Sequence, residues 1–207
     1  MNLVEKATLV AITAHEAVGQ KRKFSGTPYW HHPCAVADHV SRHTDNEALI
    51  AAGWLHDVVE DTHLDIEHIR SHFGATVALH VLNVTKQEPY GEDDSRNVLH
   101  EIKRLMGIRS DSQLLKLCDI RCNIEDMTPA CGVEFVSDWL AKKFAVLVGI
   151  KRVTPEHAEL CDEIIALARL YVRTHFPQAS VTRIYSDGVN LLAKAMHFNA
   201  GEETAHV

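Results

Sequence analysis

Apolar positions in this 207-residue chain recur at three and four residues almost throughout, the spacing that lines one face of an α-helix. Leu3, Ala7, Val10, Ala14 and Val18 predict a first helix ending near Gly19. A basic loop follows, Lys21-Arg22-Lys23-Phe24-Ser25-Gly26-Thr27-Pro28, and Pro33 then suits the first turn of a helix carrying Val36 and Val40. Residues 46–60 read as one strongly apolar helix, with Leu49, Ala52, Leu55 and Val59. A shorter helix with Ile66, Ile69 and Phe73 stops at Gly74. A helix around residues 75–86 runs into a polar loop, 87–94, and Ser95 reads as the N-cap of a helix ending at Gly107. Ser110 with Gln113 makes a capping-box pattern ahead of Leu114, Leu117 and Ile120. Phe135, Trp139, Leu140 and Phe144 read as the core of a later helix; Thr154-Pro155 opens another with Leu160, Ile164 and Leu167, and 181–198 keeps a helical period. There is no sustained period-two strand, no repeat and no low-complexity linker. The pattern predicts an all-α chain, a compact multi-helix globule.

Composition removes several classes. With 46% hydrophobic and 24% charged residues, and few Gly and Pro, disorder, collagen and coiled coil are excluded. The formal charge of −7 leaves no global basic field for nucleic acid or an anionic membrane, so neither is expected as a partner, while local basic patches stay possible. The N-terminus lacks a basic start followed by an apolar run, which argues against a signal peptide. The longest apolar stretch, Phe144–Ile150, is too short for a bilayer. Five Cys without a CxxC pair fit reduced thiols and a cytoplasmic setting. The unusual number is fifteen His.

Four of the candidate groups sit on largely apolar helices. His32 stands just before Pro33, His56-Asp57 lies inside the apolar 46–60 segment, and Asp119 lies among Leu114, Leu117 and Ile124. Charged groups so placed are costly unless paired or bound to metal. An adjacent His-Asp offers one nitrogen and one oxygen to the same ion, and mixed imidazole and carboxylate ligands suit Mn, Fe or Zn. Alone, a His-Asp dipeptide is more often a satisfied core histidine beside a capping or ion-paired acid. Glu60 and Asp61 change that balance: one turn on, they share faces with His56 and Asp57. The i,i+4 pairs His39/His43 and His68/His72 read as adventitious surface pairs, Cys118 and Cys122 as small buried packers, and His31 as a competitor of His32.

The segments His15-Glu16 through Arg22-Lys23, Ser25-Gly26-Thr27-Pro28-Tyr29-Trp30-His31-His32-Pro33, Ala51-Ala52-Gly53-Trp54-Leu55-His56-Asp57-Val58-Val59-Glu60-Asp61-Thr62, Val84-Thr85-Lys86 and Leu115-Lys116-Leu117-Cys118-Asp119 with Asn123 resemble, in order and spacing, the HD-superfamily hydrolases of the RelA/SpoT type. The resemblance covers roughly residues 7–150. It implies residues 1–150 as an HD hydrolase core and 151–207 as a C-terminal helical extension packed on it, in one domain overall. It further implies a stand-alone small alarmone hydrolase, without synthetase or regulatory domains, that uses a divalent metal, usually Mn²⁺, to remove the 3′-pyrophosphate of ppGpp or a related alarmone. By motif position, His32, His56, Asp57 and Asp119 match metal ligands, and Glu60 and Asp61 match the acids that orient and deprotonate water. Arg22 and Lys23 match the basic lining of the nucleotide pocket, and Asn123 a polar nucleotide contact. Two departures concern substrate choice: Phe24 is an added residue before Ser25-Gly26, and Arg121 is displaced by one position, about 100° around the helix. Two other readings stay open, a phosphohydrolase for nucleoside monophosphates or another phosphoester and a non-catalytic nucleotide sensor. The Glu60-Asp61 pair speaks against the sensor. The purine, the native metal and the oligomeric state, a homo-oligomer included, also stay open.

Overall fold

The computed structural model describes residues 1–87 and 94–198. Its helices are α1 (Leu3–Ala17), α2 (His31–Ser41), α3 (Glu47–Leu55), α4 (Val58–Asp61), α5 (Ile66–Phe73), α6 (Ala75–Val84), α7 (Asp94–Gly107), α8 (Ser110–Glu125), α9 (Val133–Val153), α10 (Ala158–His175) and α11 (Val181–His197). Short 3₁₀ turns lie at Pro129–Cys131 and Pro155–His157. The fold is all-α, as the periodicity predicts. Among the described residues the only β pairing is an isolated bridge, Lys21 to Pro28, which closes the basic loop. None of the described helices is long and apolar enough to cross a membrane.

The chain divides into two compact units. The first comprises Met1–Lys86 and Ile108–Cys131, the second Gln87–Gly107 and Gly132–Val207. In the first, α3 is the central element, with Leu49, Ala51, Ala52, Gly53 and Leu55 all buried, and α1, α2, α6 and α8 pack against it. Asn46 caps it, its side chain accepting from the Ala48 N–H at 3.1 Å. The approach of α3 to α2 is set by backbone. A Cβ on Gly53 would stand 2.9 Å from the Ala37 Cα, so only glycine permits this distance. In the second unit α9 contributes the buried Leu140, Phe144 and Leu147, and Gly188 lets α11 rest against the Ala141 carbonyl and the Phe144 side chain.

Four local expectations are corrected. The 46–60 segment is not one helix: α3 ends at Leu55 and α4 begins at Val58. Asp57 opens to φ −101°, ψ −6°, and the His56 Nδ1 lies 2.9 Å from the Gly53 carbonyl, engaging a helix carbonyl with a side chain. Ser110 is the first residue of α8 rather than its cap; Arg109 occupies the cap without a side-chain bond, and Gln113 is buried. Asp94 is already helical, so Ser95 lies inside α7 rather than ahead of it, while residues 88–93 of the polar loop fall outside the described part. Of the apolar residues assigned to the later helix, Phe135 is 40% exposed and Trp139 half-buried beneath the Lys143 ammonium, whereas Leu140 and Phe144 are core.

Candidate metal centre

Three helical segments bring four of the predicted residues together. His32 comes from the first turn of α2, His56 and Asp57 from the break after α3, and Asp119 from α8. The His32 Nε2 lies 3.2 Å from Asp119 Oδ1 and 3.6 Å from Asp57 Oδ2. The His56 Nε2 lies 3.0 Å from Asp57 Oδ2 and 3.8 Å from Asp119 Oδ1. The helix break makes this possible, because it turns the Asp57 carboxylate toward the same space as its neighbour's imidazole. Ligands with bonds of about 2.1 Å stand about 3.0 Å apart around an octahedral ion and about 3.4 Å apart around a tetrahedral one, close to these separations.

The donors also fit a cation chemically. The His56 Nε2 is buried yet makes no hydrogen bond, an orphan of a kind native interiors seldom keep. With Nδ1 directed at the Gly53 carbonyl, Nε2 faces the two carboxylates, and a ring that gave up its Nε2 proton would offer that lone pair to a metal. Burial works against charge on His56, but Asp57 and Asp119 push its pKa up to about 10. Burial likewise opposes ionised Asp57 and Asp119. The imidazoles of His56 and His32 nonetheless draw Asp57 down, and Lys116, with the same imidazoles, draws Asp119 well below the usual carboxylate range. The cluster is thus built to hold positive charge, which a proton or a divalent cation supplies. His32, His56 and Asp57 form a group whose donor atoms lie within 4.8 Å of one another.

The two acids beyond the break are held differently. Glu60 Oε1 accepts the Lys86 backbone N–H at 2.6 Å, which gives Val84-Thr85-Lys86 a place in the site. Solvent reaches Glu60, yet neighbouring protein displaces enough water to raise its pKa, with the Asp57 charge adding to the effect and the Lys86 N–H opposing it. Asp61 Oδ2 accepts from Gln20 Nε2 at 2.9 Å, and Gln20 Oε1 lies 2.6 Å from the buried His15.

The basic loop divides. Arg22 is half-buried, ion-paired to Asp126, bonded to Asn123 Oδ1 at 3.0 Å and 5.5 Å from the Tyr29 ring. Lys23 is exposed, its ammonium 5.3 Å from the Phe24 ring. Asn123 is a strut: its Nδ2 donates to Asp119 Oδ1 at 2.6 Å while its Oδ1 accepts from Arg22. The displaced Arg121 turns to Glu125, at 2.9 Å. His31 is exposed and stacks on Trp30, and His68 and His72 are exposed.

Sequence reasoning missed Lys116, whose ammonium lies 2.8 Å from Asp119 Oδ2, although its i,i+3 spacing to Asp119 was visible. It also missed Tyr29, which donates to Asp57 Oδ2 at 2.6 Å, and the strut role of Gln20; neither has a local spacing that announces it. His39, which its spacing to His43 predicts to lie on the surface, is instead buried against α8 beside Glu125.

The likeness to known proteins follows this geometry. The chain is 49% identical over 73 residues to a probable guanosine-3′,5′-bis(diphosphate) 3′-pyrophosphohydrolase of Synechocystis sp., a stretch covering 35% of this chain and 10% of that protein. It is 40% identical over 107 residues to the guanosine-3′,5′-bis(diphosphate) 3′-pyrophosphohydrolase MESH1 of Danio rerio, covering 49% of this chain and 57% of that one. The chain therefore spans less than two thirds of either relative. A solved metazoan ortholog of SpoT, described as hydrolysing ppGpp, superposes with a TM-score of 0.69 at 23% identity, over 80% of this chain and 95% of that chain; at that identity the likeness speaks for the fold. Residues 7–131, well over half of the chain, match the family model of the HD domain, and that stretch contains every residue of the cluster just described: the chain belongs to the HD domain family.

Proposed function

We propose that this chain is a metal-dependent pyrophosphohydrolase that removes the 3′-pyrophosphate of ppGpp or a related alarmone, with Mn²⁺ as its working ion. The observation that carries the reading is the orphaned, buried His56 Nε2 facing Asp57, Asp119 and His32, with an acid of raised pKa, Glu60, one turn away. The substrate class is supported by relatives named for that activity. His32, His56, Asp57 and Asp119 would hold the ion, which supplies Lewis acidity and lowers the pKa of bound water.

The protein's own groups do the rest. Glu60 is pinned through Oε1, leaving Oε2 to take a proton from water, and its raised pKa makes it a stronger base than an ordinary carboxylate. Asp61, held by Gln20, orients that water. The water oxygen bonds to the phosphorus attached to the 3′ oxygen, the bond between them breaks, and the proton taken by Glu60 ends on the 3′ oxygen. The products are a nucleotide with a free 3′-hydroxyl and pyrophosphate. Arg22 and Lys23 contribute cationic charge to a chain of net −7, which attracts a phosphate-rich substrate locally.

The test is an incubation of the Mn²⁺-loaded protein with ppGpp, pppGpp, ppApp and nucleoside monophosphates, with products separated chromatographically. The reading expects pyrophosphate and the 5′-diphosphate from ppGpp, abolished by a chelator and in Asp57→Ala. Nucleoside release from monophosphates without attack on any 3′-diphosphate would overturn it.

A further inference from the structure

A second constellation lies farther along the two helices that deliver His32 and Asp119. On α8, Cys122 and Glu125 sit one turn apart on a shared face. From α2, seven residues beyond His32, the buried His39 places its Nε2 3.1 Å from Glu125 Oε2. The imidazole, the thiol and the carboxylate offer donor atoms within 4.8 Å of one another. Tetrahedral ligands with zinc–nitrogen or zinc–oxygen bonds of about 2.0–2.1 Å and a zinc–sulfur bond of about 2.3 Å stand roughly 3.3–3.7 Å apart. The His39–Glu125 pair, at 3.1 Å, already stands near that range, and no pair of donor atoms is farther apart than 4.8 Å.

We propose that His39, Cys122 and Glu125 form a second cation site, selective for Zn²⁺ and distinct from the His32–His56–Asp57–Asp119 cluster, that ties α2 to α8. Softness separates the two. The first cluster presents only nitrogen and oxygen donors, whereas a thiolate favours zinc over manganese or magnesium. Charge balances as well, since one thiolate and one carboxylate neutralise a divalent ion while imidazole stays neutral. Arg121 holds Glu125 by Oε1, at 2.9 Å, and leaves Oε2 turned to His39, so the carboxylate is aimed by a neighbour. Glu125 is the exposed member and His39 and Cys122 the buried ones; an ion enters from the Glu125 side, where water completes the fourth position. Burial and the Glu125 charge push the Cys122 thiol up, so binding releases one proton from sulfur and metal affinity has to outweigh that cost.

Cobalt reports the site directly, because a thiolate ligand gives Co²⁺ a near-ultraviolet charge-transfer band that nitrogen and oxygen donors do not. Asp57→Ala protein, with the first cluster disabled, is titrated with Co²⁺ and then with Zn²⁺. The proposal expects the band to grow to about one equivalent per chain, to bleach when Zn²⁺ displaces cobalt, and to be lost in the added variant Cys122→Ser. It should survive in Cys118→Ser, whose thiol is buried one turn away. His39→Gln keeps the thiol and should weaken Zn²⁺ binding at least tenfold, about 1.4 kcal/mol; this variant decides the matter if Cys122→Ser proves misfolded by circular dichroism. Absence of the band, its persistence without Cys122, or unchanged zinc affinity in His39→Gln each overturns the site.

Discussion

The Tyr29 hydroxyl donates to Asp57 Oδ2 at 2.6 Å, the same oxygen that stands 3.0 Å from His56 Nε2 and 3.6 Å from His32 Nε2. Tyr29 thus aims a carboxylate from the loop that precedes α2. Burial and the Asp57 charge raise the phenol's pKa, so it stays a donor at any working pH. Partners of metal-holding carboxylates are worth about ten- to a hundred-fold in metal affinity. Tyr29→Phe should keep its fold by circular dichroism yet bind Mn²⁺ about tenfold more weakly by calorimetry. Unchanged affinity would make the contact incidental.

Glu60→Gln separates proton transfer from binding. The amide can still accept the Lys86 N–H at Oε1 but takes no proton from water. Turnover should fall about a hundred-fold or more, the usual scale for a lost general base, while metal content by elemental analysis stays at the wild-type level. Near-normal kcat would leave Glu60 a structural acid.

Gly53→Ala tests the spacing of α2 and α3. The new methyl group would meet the Ala37 Cα at 2.9 Å and its nitrogen at 3.2 Å, and backbone cannot swing aside like a long side chain. A loss of about 1–3 kcal/mol is expected, read by urea unfolding, with weaker metal binding as His32 and His56 separate. A variant as stable as wild type would show that the two helices part freely.

His80 carries a pH signature. Its Nδ1 lies 2.9 Å from Ser112 Oγ, and burial pulls its pKa below the ordinary 6.5. In acid the unfolded chain therefore binds more protons than the folded one at this residue. The stability tied to neutral His80 is complete above pH 6.5 and is lost as pH falls toward the folded value. His80→Asn removes the titration, so the stability gap between wild type and variant should narrow from roughly pH 8 to roughly pH 5.5. A gap that widens in acid contradicts the assignment.

Much of this was legible in sequence because it rests on local patterns. Helical period located α1, α2, α5, α6 and α11 to within a few residues, and motif order singled out His32, His56, Asp57 and Asp119, which the fold gathers from α2, the break and α8. Helix ends were less legible. At Ser110 a serine and a glutamine in register for a capping box do not form one, because Gln113 is drawn into the core. At His56 the apolar period continues through the break, since periodicity senses burial and not the dihedral angles of Asp57. His39 shows the same limit: its local i,i+4 spacing points to His43, which lies past the end of α2, whereas its partner Glu125 lies on α8, eighty-six residues away in sequence. Pairings across helices leave no local trace in the order of residues.

The tether on Glu60 has a genetic consequence. Position 86 reaches the acid through its backbone N–H, so the contact is blind to which side chain stands there. Saturation mutagenesis at Lys86 should find nineteen of the twenty amino acids retaining the contact and one, proline, removing it, since proline alone lacks the donor. Side-chain change at such a position can leave the acid held in place, its importance exposed only by the one residue that lacks the donor.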